Sequence, residues 1–134
     1  MELNHVIIKT PGAPAALGPY SQGILLAEIG LVFSSGQIAL DPSTGQLVPG
    51  GIEAEMARVL DNLEAILATA GSGLDRIVRT TLFLIDMTDF DAANRVYASR
   101  VGAPLPARST VEVRKLPKGA RVEMDVIASV RPGL

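Results

Sequence analysis

The sequence predicts an α+β fold: six strands in one mixed sheet, with two helices on one of its faces. Three observations lead there. Apolar residues recur at spacings of three and four over two stretches, 52–70 and 88–101. The remaining apolar segments are shorter and read as strands, so the order is strands, helix, strand, helix, strands. Strand–helix–strand crossovers are right-handed in nearly all cases, so two that step the same way along a sheet put both helices on one face. At 134 residues a single domain, residues 1–134, can bury roughly two-thirds of its unfolded surface.

Residues 5–9 and 21–28 form the first two strands, joined by a loop rich in turn formers from Thr10 to Tyr20. The third strand spans 31–38. Asp41-Pro42-Ser43-Thr44-Gly45 supplies a turn, with proline fixing φ and glycine taking the positive-φ position. The first helix is marked by Ile52, Met56, Val59, Leu60, Leu63, Ile66 and Leu67 on one stripe and stops at Gly71. Residues 77–85 follow as a strand apolar enough to be covered on both faces. The second helix opens with Thr88 as N-cap and Asp89 and Asp91 in its first turn, aligns Phe90, Ala93, Asn94, Tyr97 and Val101, and ends at Gly102. Strands over 108–113 and 122–130, joined across 116–120, complete the sheet. The strands carry apolar residues on both alternations, so the face without helices calls for a cover, and self-association through the sheet is the economical one.

Composition removes several function classes. A net charge of −2 and an aromatic content of 4% leave no electrostatic or stacking footprint for nucleic acid. Without cysteine there is no disulfide, thiolate nucleophile or cysteine–metal site. The one histidine, His5, rules out a His-based triad or multi-His metal site within one chain, and it is assigned no role. The acidic residues lack the spacing of a metal cage, so no metal and no cofactor are expected. No apolar run approaches membrane-spanning length, and the first residues lack the basic and apolar regions of a signal peptide; the expectation is a cytosolic protein.

Arg108 opens the strand Ala107-Arg108-Ser109-Thr110-Val111-Glu112-Val113 directly after Pro104-Leu105-Pro106. A guanidinium at the mouth of a strand suits a small carboxylate, because its planar fork donates two parallel hydrogen bonds in one geometry. A carboxylate held there leaves a neighbouring reactive carbon fixed for attack by water. A glutamate such as Glu123 can hold that water or move its proton, help typically worth about 10²–10⁴-fold.

Four blocks, in order, carry a resemblance: Gly18-Pro19-Tyr20-Ser21-Gln22-Gly23, Ser34-Ser35-Gly36-Gln37-Ile38, Pro106-Ala107-Arg108-Ser109-Thr110-Val111 and Leu116-Pro117-Lys118-Gly119-Ala120-Arg121-Val122-Glu123. Together they resemble the Rid (YjgF) family of enamine/imine deaminases over essentially the whole chain. The resemblance implies a chorismate-mutase-like fold, a homotrimer whose sheets close into a barrel, and ligand clefts between subunits. It implies hydrolysis of 2-imino acids, of the 2-aminoacrylate or 2-iminobutanoate type, to 2-keto acids and ammonia. By motif, the carboxylate-binding arginine falls on Arg108, the water-associated glutamate on Glu123, the pocket tyrosine and serine on Tyr20 and Ser35, with Gly36, and the helix asparagine on Asn94.

Thr110 stands where many members carry cysteine, leaving a small hydroxyl to line the pocket. The stretch 97–106 is a few residues shorter than the usual pattern, which bears on substrate range. Two other readings remain: non-catalytic sensing of small 2-keto acids, and the RNA cleavage or translation inhibition described for some relatives. Strand geometry adds one expectation. With Arg108 and Glu123 near opposite ends of antiparallel neighbours or near-neighbours, roughly 15–20 Å would separate them along the sheet at ~3.3 Å per residue, so a shared substrate requires either two subunits or a chain that bends sharply away from a regular hairpin between them.

Overall fold

The computed structural model describes residues 1–131. Strands β1 (Val6–Ile8), β2 (Gly23–Leu26) and β3 (Leu31–Ser34) are followed by α1 (Gly51–Thr69), β4 (Ile77–Leu84), α2 (Phe90–Arg100), β5 (Ala107–Glu112) and β6 (Val122–Ser129). The sheet order is β1-β2-β3-β6-β4-β5. Only β4 and β5 pair in parallel; every other pairing is antiparallel, so the sheet is mixed as expected. The two crossovers, β3–α1–β4 and β4–α2–β5, step the same way, and β6 slots antiparallel between β3 and β4.

The apolar stripe of α1 makes the core. Met56, Val59, Leu60, Leu63, Ile66 and Leu67 are fully buried, and they pack with Val32, Leu82, Leu84, Val122, Met124 and Val126 from the centre of the sheet. The helix ends where the sequence places its stop: Gly71 takes φ +82°, its N–H reaches the Ala68 carbonyl and that of Ser72 reaches Leu67 at 2.8 Å. The second helix differs from expectation at its start. One tight turn over Met87–Asp89 precedes α2, and Asp86 caps that turn, accepting the Thr88 N–H at 2.9 Å and its hydroxyl at 2.7 Å; Asp89, not Thr88, is the residue at the N-cap of α2, with no side-chain cap bond.

Along β6 the alternation is strict: Val122, Met124, Val126 and Ala128 are buried toward the helices, whereas Glu123, Asp125 and Ile127 look the other way. That second face carries Ile7, Phe33, Phe83, Ile127 and Val111, with Ile7 66% exposed. A six-stranded sheet with helices on one side therefore has a second face, rich in apolar residues, over which no helix or strand among the described residues packs.

Candidate functional site

Arg108 lies on β5, an edge strand of the sheet, level with Thr80 of β4. Thr80 is buried on the helix side, so Arg108 points that way too. There it meets one face of α2. Asn94 Oδ1 accepts a hydrogen bond from Arg108 Nη2 at 2.7 Å, and the guanidinium lies over the ring of Tyr97, 4.7 Å from its centre, with Phe90 at 5.8 Å. An aromatic face attracts a cation, and a planar guanidinium stacked on it keeps one orientation. Burial pushes the Tyr97 phenol up, an effect opposed by the adjacent Arg108 charge. Thr110, two residues along β5 and level with Leu82, shares this side and is half-buried. Arg108, Asn94 and Thr110 thus form one cluster, a guanidinium held by an amide and an aromatic floor.

The other predicted residues gather elsewhere. Just after β3 the chain bends at Ser35–Gly36 before Gln37 rejoins β6 through paired backbone bonds with Met124. Glu123 lies against Gly36 so closely that a methyl group there would sit 2.5 Å from Oε2 and 2.9 Å from the carboxyl carbon. Glycine is therefore required at position 36 for the carboxylate to occupy its seat. Ser35 donates its hydroxyl to the Ser21 carbonyl and its N–H to the Gln22 carbonyl at 2.9 Å. Tyr20, one residue upstream, is 56% exposed beside a cavity of about 600 Å³ lined by Ile8, Lys9, Ala13, Ser21 and Gln22 among others. Ser35, Gly36 and Glu123 are the second cluster, linked to Tyr20 through the backbone of Ser21, whose carbonyl holds the Ser35 hydroxyl.

Electrostatics mark Glu123 within it. Burial raises the affinity of its carboxyl for a proton, and the like charge of Asp125, two residues away on the same face, raises it further. Asp125 is itself pushed up by burial, offset by a hydrogen bond from the Thr81 backbone and by Arg79. A carboxyl with raised proton affinity is suited to exchanging a proton with a bound water.

The two clusters do not meet. Glu123 is level with Phe83 and Arg108 with Thr80, so three residues separate them along β4 and two strand spacings across it. At ~3.3 Å per residue and ~4.8 Å per strand this is about 14 Å, and they lie on opposite faces of the sheet. With β4 between them, β5 and β6 are the antiparallel near-neighbours expected from sequence, but the two residues stand about 10 Å apart along the sheet at ~3.3 Å per residue rather than roughly 15–20 Å. That regular strands of one chain cannot bring both to a small substrate therefore stands, on different geometry.

Sequence reasoning missed three participants. Phe90 and Tyr97 share with Asn94 the face of α2 expected from their spacing, but that expectation gave them no part in the site; the signal was their alignment with Asn94, which meets Arg108. Asp125 was an unremarked alternate residue, and its position two ahead of Glu123 was the available signal. Among the described residues no group of three or more His, Asp or Glu side chains comes together in a way that could hold a metal ion. Nor is any helix among them long and apolar enough to cross a membrane.

Residues 10–130 match the family model described as endoribonuclease L-PSP. A mouse protein named 2-iminobutanoate/2-iminopropanoate deaminase is 45% identical over 126 residues, covering 94% of this chain and 92% of the relative. The crystal structure of YyfA from Yersinia pestis, a Rid protein, superposes with a TM-score of 0.90 at 46% identity, covering 95% of this chain and all of that one. That of E. coli TdcF with bound serine gives 0.87 at 38% identity, over 94% and 99% of the two chains. With the four sequence blocks, the sheet order and these likenesses in agreement, the chain belongs to the Rid (YjgF) family.

Proposed function

We propose that this chain, a single Rid-type domain over residues 1–134, hydrolyses small 2-imino acids to 2-keto acids and ammonia in the cytosol, at sites shared between copies in a homotrimer. One observation carries the reading: a stacked, oriented guanidinium and a carboxyl of raised proton affinity lie on opposite faces of one sheet, about 14 Å apart. Each is half of a hydrolytic site, and a second copy supplies the other half. Packing three uncovered sheet faces together as a closed barrel brings the clusters of neighbouring chains to one cleft and buries Ile7, Phe83 and Val111. The mouse relative's name supports the substrate class, and so does the serine, a small amino acid, bound to E. coli TdcF.

The chemistry follows from the groups. Arg108 pairs with the substrate carboxylate while Asn94 and Tyr97 hold its plane. The adjacent C=N carbon is thereby fixed, and Glu123 of the neighbouring copy takes a proton from water as its oxygen adds to that carbon. That proton passes to the imine nitrogen and gives the carbinolamine; Glu123 then takes the carbinolamine's hydroxyl proton and delivers it to the amino nitrogen, so that the C=O bond forms, the C–N bond breaks, ammonia leaves and the carboxylate is restored. Tyr20 and Ser35 offer hydroxyls to the substrate, Gly36 leaves room beside the carboxyl, and Thr110 lines the wall next to Arg108. The cycle requires neither metal nor organic cofactor, since water and one carboxyl balance it.

The test is release of ammonia and 2-keto acid from an imine generated in situ by an amino-acid oxidase. The expected result is a rate that rises in proportion to protein concentration. Binding of a 2-keto acid with no acceleration of imine loss would instead establish a sensor.

A further inference from the structure

Gln22 belongs to the Gly18–Gly23 block but takes no part in the chemistry above. Its side chain is nevertheless among the most engaged in the molecule. It is 3% exposed. Oε1 accepts the Thr10 N–H at 2.7 Å, and Nε2 donates to the carbonyls of Thr10 at 3.0 Å, Ala13 at 3.2 Å and Pro14 at 2.8 Å. One carboxamide thus gathers residues 10–14, a segment in no helix or strand and interrupted by Pro11 and Pro14. The main chain of Gln22 continues the link, its carbonyl accepting the Ser35 N–H while the Ser21 carbonyl accepts the Ser35 hydroxyl. Ser35 in turn abuts Gly36, on which Glu123 lies.

We propose that Gln22 is a positioning residue for the carboxyl half of the site: its clamp on residues 10–14 holds the loop that carries Tyr20 and braces the Ser35–Gly36 seat of Glu123. This rests on the reading that Tyr20, Ser35 and Glu123 face the substrate. The bonds are internal, and a buried polar group released from its partners is costly, so the loop has one strongly favoured arrangement while the carboxamide is present. An apolar side chain of similar volume fills the space but can make none of the four bonds. The loop is then released without a cavity being opened.

Gln22→Met and Gln22→Glu test this. The glutamate keeps an acceptor for Thr10 but presents an oxygen to three carbonyls. Because the chain has two tyrosines and no tryptophan, labelling with 3-fluorotyrosine gives one fluorine signal from the exposed Tyr20 and one from the buried Tyr97. In both variants kcat is expected to fall about 10- to 100-fold, the usual consequence of a site group displaced by an ångström or so. KM should stay within about threefold, because the carboxylate grip belongs to Arg108 in the other half. The Tyr20 signal should move toward its position in an unstructured peptide while that of Tyr97 stays.

A kcat within about threefold of the wild type, or a Tyr20 signal that does not move, overturns the proposal. So does equal disturbance of both signals, the mark of a general loss of packing. If Gln22→Met does not fold, Gln22→Asn, shorter by one methylene, carries the same readouts. Should the wild-type protein show no imine turnover, the functional reading fails by itself. The fluorine signals then decide the positioning role, a shifted Tyr20 with an unshifted Tyr97 supporting it and an unshifted Tyr20 refuting it.

Discussion

Equal amounts of Arg108→Ala and Glu123→Ala chains, unfolded together and refolded, are expected to recover about one quarter of wild-type activity per site. The figure comes from the sheet. Arg108 points to the helix side of β5, Glu123 opens from β6 on the opposite face, and β4 separates them. A site using both must draw them from two copies. In a ring of three, every interface joins Arg108 of one chain to Glu123 of the next. An interface is intact only when its arginine comes from a Glu123→Ala chain and its glutamate from an Arg108→Ala chain, which random assembly produces in about half times half of cases. Ammonia release from an in situ imine gives the activity, each variant refolded alone gives the baseline, and native mass spectrometry counts the mixed trimers. Activity at the baseline in a sample rich in mixed trimers would refute the shared site.

Arg108→Lys keeps the charge but loses the fork, so kcat/KM should drop about 100-fold with an unchanged circular dichroism spectrum. Gly36→Ala places a methyl group 2.5 Å from Glu123 Oε2 and swings the carboxyl away; turnover should fall at least about tenfold, while urea unfolding shifts by less than about 1 kcal/mol because only a flexible side-chain end must yield. Since burial and then the Asp125 charge raise the proton affinity of Glu123, activity that needs the ionised carboxyl is lost as pH falls through that raised value. Removing the neighbouring charge with Asp125→Asn should move the acid limb of the kcat/KM profile to lower pH, and an unmoved or raised limb would contradict the coupling. Asn62 is fully buried in α1 and donates to the carbonyls of Ile38 and Leu40 at 3.2 and 3.0 Å; Asn62→Leu should cost about 1–3 kcal/mol in chemical denaturation by leaving the Leu40 carbonyl without a donor, while that of Ile38 keeps the Leu40 N–H.

What the sequence revealed and what it hid follow from the range of the interactions involved. The stripe from Ile52 to Leu67 and the stop at Gly71 are local patterns, and both are met in α1. Strand ends were less legible because tertiary contacts set them. The expected strand over 21–28 shrinks to Gly23–Leu26 since Ser21 and Gln22 serve the loop, and that over 31–38 breaks at Ser35–Gly36, where Glu123 claims the space. Thr88 falls inside a short turn capped by Asp86, whose side chain serves both its N–H and its hydroxyl, and α2 starts only after Asp89, a shift by one turn that spacing alone does not report. All seven predicted site residues fall into two groups, and their types were readable. Their grouping was not, since it depends on β4 lying between β5 and β6, and nothing in a one-dimensional pattern reports strand order.

The place of β6 has a consequence for biosynthesis. Among the described residues this strand, made after all the others, is the one that joins the N-terminal strands to β4–β5 in the sheet: Leu31 pairs with Ser129 and Thr80 with Val126. Until it emerges, a nascent chain holds two separate strand groups, each with unpaired edges, and the core beneath α1 lacks Val122, Met124 and Val126. Closure therefore waits until β6 has been made, after which one insertion joins both halves, completes the core and delivers Glu123 to Gly36. A chain cut short before Val122 would keep its arginine cluster but lack its carboxyl and half its sheet contacts. Messages truncated near their 3′ end should consequently yield aggregation-prone chains cleared by proteolysis rather than partly active ones.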